Sequence, residues 1–278
     1  MAEHRVYRAT SKDGTEIAAR VQGQGPPLVL LPVGPGDSAL SWGPLLPHLR
    51  DHFTCYLLDT RGRGLSANHA DHAPERLVDD VRAFIDSLGE PVRLLEWGNA
   101  LWAQVAADSG ERIAAVIAYE PGADEVMSEE IGARLESAFE RVGELVAEGK
   151  LVDAARAFLE AGDAIYLPEE LEAAGRPFWE GAAQNLPVYL QELEQAHEPG
   201  RVGQLDPSVL AKVKVPVHLL LGKASPDAPP RQWFGDSVRH VAEHVANTSV
   251  HEVSGLAHFG PWLGPEPLAA AIVSALDS

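Results

Sequence analysis

The sequence predicts an α/β protein in which a mostly parallel sheet is covered by helices on both faces and the sheet-forming chain is split by a helical module. Short and largely apolar runs stand at 28–31, 53–58 and 217–221, which is typical of strands buried on both faces. Helix-like stretches separate these runs, as expected for parallel strands. Between 124 and 206 the strand signals stop, and Ala, Glu and Leu recur with helical spacing.

The elements follow one another in a regular order. Two extended segments at 6–10 and 16–21 flank Asp13-Gly14, a pair typical of a hairpin turn. Periodicity then predicts strand 28–31, helix 42–49, strand 53–58, helix 74–88, strand 92–95, helix 100–108 and strand 113–119, and after the module strand 215–221, helix 233–245, strand 249–253 and helix 267–276. We therefore expect a first core part at 1–123, a helical cap at 124–206 and a second core part at 207–278.

Length and composition indicate a globular protein. The 278 residues are enough for one large domain or a core with a lid, and 45% hydrophobic with 23% charged residues is ordinary for such a chain. No apolar run approaches the roughly 20 residues of a membrane helix. The first seven residues lack the apolar region of a secretory signal, so we expect a cytoplasmic protein without membrane partners.

Charge and metal-ligand patterns exclude several classes of function. A net charge of −19 argues against nucleic-acid binding, which needs clustered Lys and Arg. The lone Cys55 excludes an internal disulfide or a cysteine-based zinc site. His240 with His244, and His69 with His72, have helical spacing but lack further ligand signals such as HExxH. We expect neither a metal nor a cofactor.

Two motifs carry a resemblance to a known family. Residues 59–66, Asp-Thr-Arg-Gly-Arg-Gly-Leu-Ser, resemble the D-x-R-G-x-G-x-S turn of α/β-hydrolases, and 255–259, Gly-Leu-Ala-His-Phe, resemble their catalytic-histidine loop. The strand order, the place of the insertion and the final Pro265-Glu266-Pro267 agree along essentially the whole chain. The resemblance implies an α/β-hydrolase fold with a helical cap, and it makes His258 the catalytic histidine.

The nucleophile turn departs from that family. The family's strand leads into G-x-S-x-G, a tight turn that exposes the nucleophile to a histidine. Here the turn at 95–101 reads Leu-Glu-Trp-Gly-Asn-Ala-Leu, without serine, cysteine or aspartate. In one register, set by the preceding strand, Gly98 stands at the serine position and the elbow has no nucleophile. In another, Glu96-Trp97-Gly98 resembles the D-W-G of haloalkane dehalogenases and epoxide hydrolases, with Glu96 as nucleophile.

The second register is chemically reasonable and is supported by the sequence that follows. The residues from Glu96 to 110–113 fall in step with the dehalogenase pattern without a gap. A carboxylate can attack an electrophilic carbon to form an ester, which a histidine-activated water then opens. Glutamate is one methylene longer than aspartate, and a displacement of about 1 Å costs on the order of 10²-fold in rate. Glu96 could instead act as a general base on water.

The acid that orients His258 has two candidates. The family's acid position reads Ser225, and Asp227 comes two residues late. Glu120 follows the strand 113–119, where some haloalkane dehalogenases carry their acid. The alternatives are Glu120, Asp227 or no acid, and we prefer Glu120 because its strand end faces the same mouth of the sheet.

The oxyanion loop also differs from the family pattern. Pro32-Val33-Gly34 replaces the family's H-G-x-P, yet backbone N–H groups can still donate hydrogen bonds to an oxyanion. The predicted oxyanion or substrate-binding residues are Gly34, Trp97, Gly98 and Asn99. Gly34 stands where many dehalogenases carry a halide-binding asparagine, whereas Trp97 matches one halide-binding tryptophan.

Together these patterns predict a hydrolase that binds a small, largely apolar molecule between core and cap. The substrate would be an ester, lactone, epoxide or alkyl halide, and the predicted catalytic residues are Glu96, His258, Glu120 and Asp227. An alternative is a protein that keeps the fold without hydrolysis, either a lyase or isomerase using Glu96 and His258 for proton transfer, or an inactive binding protein. The sequence leaves the oligomeric state open.

Overall fold

The computed structural model describes residues 5–161, 165–225 and 232–277 and contains an eight-stranded sheet. Its strands are β1 (Arg5–Thr10), β2 (Glu16–Gly23), β3 (Pro27–Leu30), β4 (Thr54–Leu58), β5 (Val92–Trp97), β6 (Ile113–Tyr119), β7 (Val217–Gly222) and β8 (Thr248–Val253). They lie in the order β1-β2-β4-β3-β5-β6-β7-β8. The pairs β1–β2 and β2–β4 are antiparallel and the other pairs are parallel, which confirms the predicted fold class.

Helices flank this sheet and fill the connection from β6 to β7. The helices outside residues 124–206 are α1 (Ser38–Trp42), α2 (Leu46–Leu49), α3 (Pro74–Leu88), α4 (Leu101–Ala106), α10 (Pro207–Leu210), α11 (Trp233–His244), α12 (Gly260–Leu263) and α13 (Pro265–Leu276). The connection contains α5 (Glu129–Ala147), α6 (Leu151–Ala161), α7 (Pro168–Glu170), α8 (Arg176–Ala182) and α9 (Leu186–Ala196), which we call the helical insertion. Short 3₁₀ turns occupy Gly110–Arg112, Asp124–Val126 and Ala183–Asn185, and a π-helical turn occupies Leu171–Gly175.

Two details of the helices bear on the predictions. The helix expected at 42–49 is two short helices, α1 and α2, because Pro44 and Pro47 lack the N–H groups that a continuous helix needs. Among the described helices, none has both the length and the apolar content needed to cross a bilayer.

The two faces of the sheet bury separate apolar clusters. Successive side chains of a strand point to opposite faces, so β5 contributes Leu94 to one cluster and Leu95 with Trp97 to the other. The Leu94 cluster includes residues of α3 and α4, whereas the Trp97 cluster includes residues of the helical insertion. The alternation places the Glu96 side chain on the Leu94 face, opposite to Trp97.

A buried ion network holds the turn after β4. Arg61, fully buried, donates to both carboxylate oxygens of Asp80 at 2.7 and 2.6 Å, and it lies 2.9 Å from a carboxylate oxygen of Asp13. Asp59, also fully buried, accepts from the backbone N–H of Ser38 at 2.9 Å and pairs with Arg20 at 2.9 Å. The turn thereby joins the hairpin, α1 and α3.

Loss of the Arg61 guanidinium should destabilise the fold strongly. Arg61→Leu leaves the carboxylate of Asp80 buried without its partner, and we expect the free energy of unfolding to fall by about 3–5 kcal/mol. The exposed pair of Arg8 with Glu16 gives a control, since Arg8→Leu should cost about 0–1 kcal/mol. Urea unfolding of both variants measures the difference, and equal losses would contradict a structural role for the network.

Candidate active site

Gly98 occupies the tip of the turn between β5 and α4. Its φ of +72° lies in the left-handed region that favours glycine. Its N–H donates to the carbonyl of Tyr119 at 3.0 Å, and its carbonyl accepts from the N–H of Gly122 at 3.0 Å. A Cβ atom added to Gly98 would lie 3.2 Å from Nε2 of His258. The residue that faces the histidine is therefore Gly98, as in the first of the two registers.

Glu96 lies below this turn, within β5. Its Oε2 accepts a hydrogen bond of 2.8 Å from the backbone N–H of Trp102 in the first turn of α4, and 1% of the residue is exposed. Burial raises the pKa of Glu96 to about 8, although the Trp102 hydrogen bond opposes this shift. In the described part of the chain no hydrogen bond joins Glu96 to His258. Its roles as nucleophile or base stay predictions that these contacts do not support.

The structure brings Glu120 and His258 together. Nδ1 of His258 lies 3.2 Å from Oε2 of the fully buried Glu120. The other oxygen of Glu120 accepts from the N–H of Gly222 at 2.9 Å and from the hydroxyl of Ser225. A histidine that donates its Nδ1–H to the carboxylate keeps its Nε2 lone pair for proton abstraction. Asp227 lies outside the described residues.

The backbone of Glu120 is itself unusual. Its φ of +45° costs a non-glycine residue about 1–2 kcal/mol, and a hydrogen bond of 3.0 Å from its N–H to the carbonyl of Leu220 holds it in place. Strain of this kind persists where the surrounding structure fixes it, often at functional sites. Ser225, which stands where the family carries its acid, helps to fix the carboxylate that lies beside the histidine instead.

Aromatic rings enclose His258. Phe234 stacks on the imidazole with a centroid separation of 4.1 Å and an interplanar angle of 8°, while Tyr166 lies 5.1 Å away and Trp97 5.5 Å away. Burial lowers the pKa of His258, and the Glu120 carboxylate opposes this shift. The imidazole is thus kept neutral, as a base requires. No sequence motif indicated Phe234 or Tyr166, because their stacking depends on contacts between segments far apart in the chain.

Two backbone N–H groups beside the main cavity have no hydrogen-bond acceptor among the described residues. They belong to Gly34 and Asn99, and both residues line the cavity. The Arg63 guanidinium donates to the carbonyls of Gly34 and Gly36, the latter at 3.1 Å, which fixes the loop. With Gly98 at the tip, the donor that follows it is Asn99, whereas Trp97 lies inside β5 and lines the cavity with its ring.

The main cavity has a volume of about 1270 Å³ and lies between the carboxyl ends of the strands and the helical insertion. Its wall near His258 is largely aromatic, formed by Trp97, Phe158, Tyr166, Phe178, Trp179, Phe234 and Phe259. Its acidic lining residues are Asp124, Glu125, Glu136, Glu140, Glu194, Glu198 and Asp206, against the cationic Arg201 and the titratable His197. This distribution favours uncharged apolar ligands over anions.

Comparisons with known proteins agree with this architecture. Residues 28–271 match the model of the "Alpha/beta hydrolase family". An N-formylmaleamate deformylase of Pseudomonas putida is 38% identical over 72 residues, a match that spans only 25% of this chain and 26% of the deformylase.

Solved structures extend the likeness over the whole chain. An alpha/beta hydrolase from Sphaerobacter thermophilus superposes with a TM-score of 0.72 at 25% identity, covering 97% of this chain and 100% of the other. The esterase RhEst1 from a Rhodococcus species gives a TM-score of 0.74 at 23% identity, with 98% of each chain covered. At 23% identity, the likeness to RhEst1 concerns the fold alone.

The Glu120–His258 contact predicts a shift in the histidine titration. Glu120→Gln removes the negative charge that raises the pKa of His258, so this pKa should fall further and the neutral ring should persist to lower pH. NMR titration of the His258 ring proton measures the change. The exposed Glu252→Gln is a control that should leave the pKa unchanged. An unchanged or increased pKa in Glu120→Gln would contradict the pairing.

Proposed function

Because this chain belongs to the alpha/beta hydrolase family, we propose that it is a hydrolase in which His258, oriented by Glu120, activates water for direct attack on a carbonyl substrate. The observation that carries the proposal is the distance of 3.2 Å between Nε2 of His258 and the Cβ position of Gly98. The histidine faces the place of the family's nucleophile, and a glycine there supplies none. We therefore assign water as the nucleophile that His258 activates.

The proposed reaction forms no covalent bond between enzyme and substrate. Nε2 of His258 takes a proton from water while the water oxygen bonds to the substrate carbonyl carbon. The N–H groups of Gly34 and Asn99 stabilise the oxyanion, and Glu120 stabilises the imidazolium. When the tetrahedral intermediate collapses, the imidazolium returns the proton to the leaving group. Hydrolysis yields an acid and an alcohol or amine.

An ester or lactone suits this arrangement better than an epoxide or alkyl halide. Paired N–H donors serve a carbonyl oxygen that becomes an oxyanion, whereas opening an epoxide or releasing a halide by the predicted route needs a carboxylate nucleophile. The aromatic wall supports a largely apolar body, and the acidic lining residues disfavour anionic substrates. A small neutral ester or lactone is therefore the substrate class that we propose.

A second candidate is a lyase or isomerase that uses His258 for proton transfer. The aromatic wall of the main cavity near His258 suits a flat, conjugated substrate beside the base. Such a reaction also needs no nucleophile at Gly98. It differs from hydrolysis because hydrogen atoms of the substrate exchange with solvent while no water is consumed.

The absence of a covalent intermediate is directly testable. The wild type should hydrolyse p-nitrophenyl esters without a burst, should gain no mass in quenched intact-protein spectra, and should not react with a fluorophosphonate. His258→Ala should lower kcat/KM by about 10²–10⁴-fold.

Gly98→Ser combined with Val33→Ala should acquire fluorophosphonate labelling, since the second change relieves a contact of 2.9 Å between the new Cβ and the Val33 side chain.

Val33→Ala alone is the matched control and should remain unlabelled. A covalent adduct on Glu96 of the wild type would overturn the direct-water mechanism and favour the carboxylate route. Solvent deuterium entering a substrate that is not cleaved would instead favour the lyase or isomerase.

A further inference from the structure

A second, smaller cavity lies beside the main one, on the Glu96 side of the elbow. Its volume is about 110 Å³, which is enough for several waters or for one small polar group of a ligand. Asn99, Tyr189 and Leu193 line both spaces. We call this smaller cavity the polar chamber.

Unpartnered polar atoms concentrate in the wall of the polar chamber. Within the described residues, Oγ1 of Thr60, Nε of Arg63, Oε1 of Glu96 and Oε1 of Glu192 are buried and lack a hydrogen-bond partner, and all four residues line the chamber. Thr60 is 7% exposed, Arg63 3% and Glu96 1%. Leaving a buried polar atom without a partner destabilises a protein, and four residues around one space carry such atoms, which points to a site for a hydrogen-bonding group.

Neighbouring contacts keep the wall rigid. The Arg63 guanidinium is fixed by the carbonyls of Gly34 and Gly36 and by the carboxylate of Glu192 from α9, and the Tyr189 ring lies 5.5 Å from the guanidinium carbon. Because core and helical insertion both contribute, the chamber exists only when α9 lies against the core.

The charges in the wall nearly cancel. The Arg63 cation faces the Glu192 carboxylate, and burial raises the pKa of Glu96 to about 8, so that Glu96 is largely uncharged at neutral pH. An anionic or cationic ligand would therefore enter without a free counter-charge, which is costly in a buried space. The wall nonetheless offers both donors and acceptors, since Arg63 Nε can only donate and the Thr60 hydroxyl can do either.

We propose that the polar chamber is a substrate subsite for an uncharged group that both donates and accepts hydrogen bonds, such as a hydroxyl or a primary carboxamide. This inference extends the proposed function, because it assigns the substrate an apolar body in the main cavity and a neutral polar group that reaches past Asn99. The relevant substrates are then esters or lactones with a hydroxyl or amide at one end.

Binding of a small probe tests the subsite without any catalysis. Ligand-free crystals soaked in acetamide should show the amide bonded to Thr60 and Arg63, whereas soaks in acetate should leave the chamber without the anion. In solution, saturation-transfer NMR should show that Thr60→Val weakens acetamide binding about fivefold, the loss of roughly one hydrogen bond. Thr15→Val is the matched control, because its hydroxyl is also buried but lies outside the chamber.

Three results would overturn the subsite. Crystals could show that acetamide does not displace the waters of the chamber or that acetate binds there as well as acetamide, and NMR could show that the Thr60→Val and Thr15→Val variants bind acetamide with equal affinity. Acetamide seen in crystals but not in solution, binding at crystal concentration only, would also overturn it.

Kinetics then separate this inference from the proposed function. A p-nitrophenyl ester with a terminal carboxamide should be preferred over its counterpart with a terminal methyl group, and Thr60→Val should reduce that preference in kcat/KM about fivefold. Acetamide binding without ester turnover would reject the proposed hydrolysis and keep the subsite. Ester turnover with no preference and no acetamide binding would reject the subsite alone.

Discussion

The structure of the site depends on the pair of backbone hydrogen bonds that tie the end of β5 to the segment after β6. Gly98 donates to Tyr119 and accepts from Gly122, so the left-handed turn and the start of the helical insertion are fixed to each other. Glu120 lies between these two contacts, and its carboxylate reaches His258. One strand junction therefore fixes the tip of the elbow relative to Glu120, whose carboxylate lies beside His258.

The end of β7 accounts for the placement of the carboxylate that we propose as the acid. The end of β7 supplies Ser225 and the N–H of Gly222, and both donate to Glu120. The β7 end thus orients a carboxylate from β6 rather than carrying one itself among its described residues. Because parallel neighbouring strands end at one edge, a carboxylate on either strand can reach a histidine at that edge.

Much of the fold could be predicted from sequence because it depends on local patterns. Unbroken apolar strands, the Asp59 turn and the His258 loop each have a short-range signature, and the fold class followed from them. The residue at the tip of the elbow could not be predicted in this way. The two registers differ by two residues and therefore have the same strand periodicity, yet one places Glu96 and the other Gly98 at the tip. The left-handed φ of Gly98 and its position beside His258, both properties of the folded chain, distinguish them.

The position of Glu96 shows why that distinction matters physically. Glu96 stands two residues before the tip, and its side chain lies on the sheet face that α3 and α4 cover. There it accepts a hydrogen bond from the first turn of α4 and lines the polar chamber. A carboxylate at a helix start is a common structural feature, yet here one of its oxygens has no partner in the described chain. Arg63 connects that same space to the oxyanion loop. If the proposed subsite is correct, its occupant contacts the Arg63 side chain that also holds the Gly34 loop, and recognition of a distal polar group is coupled to the geometry of the proposed catalytic step.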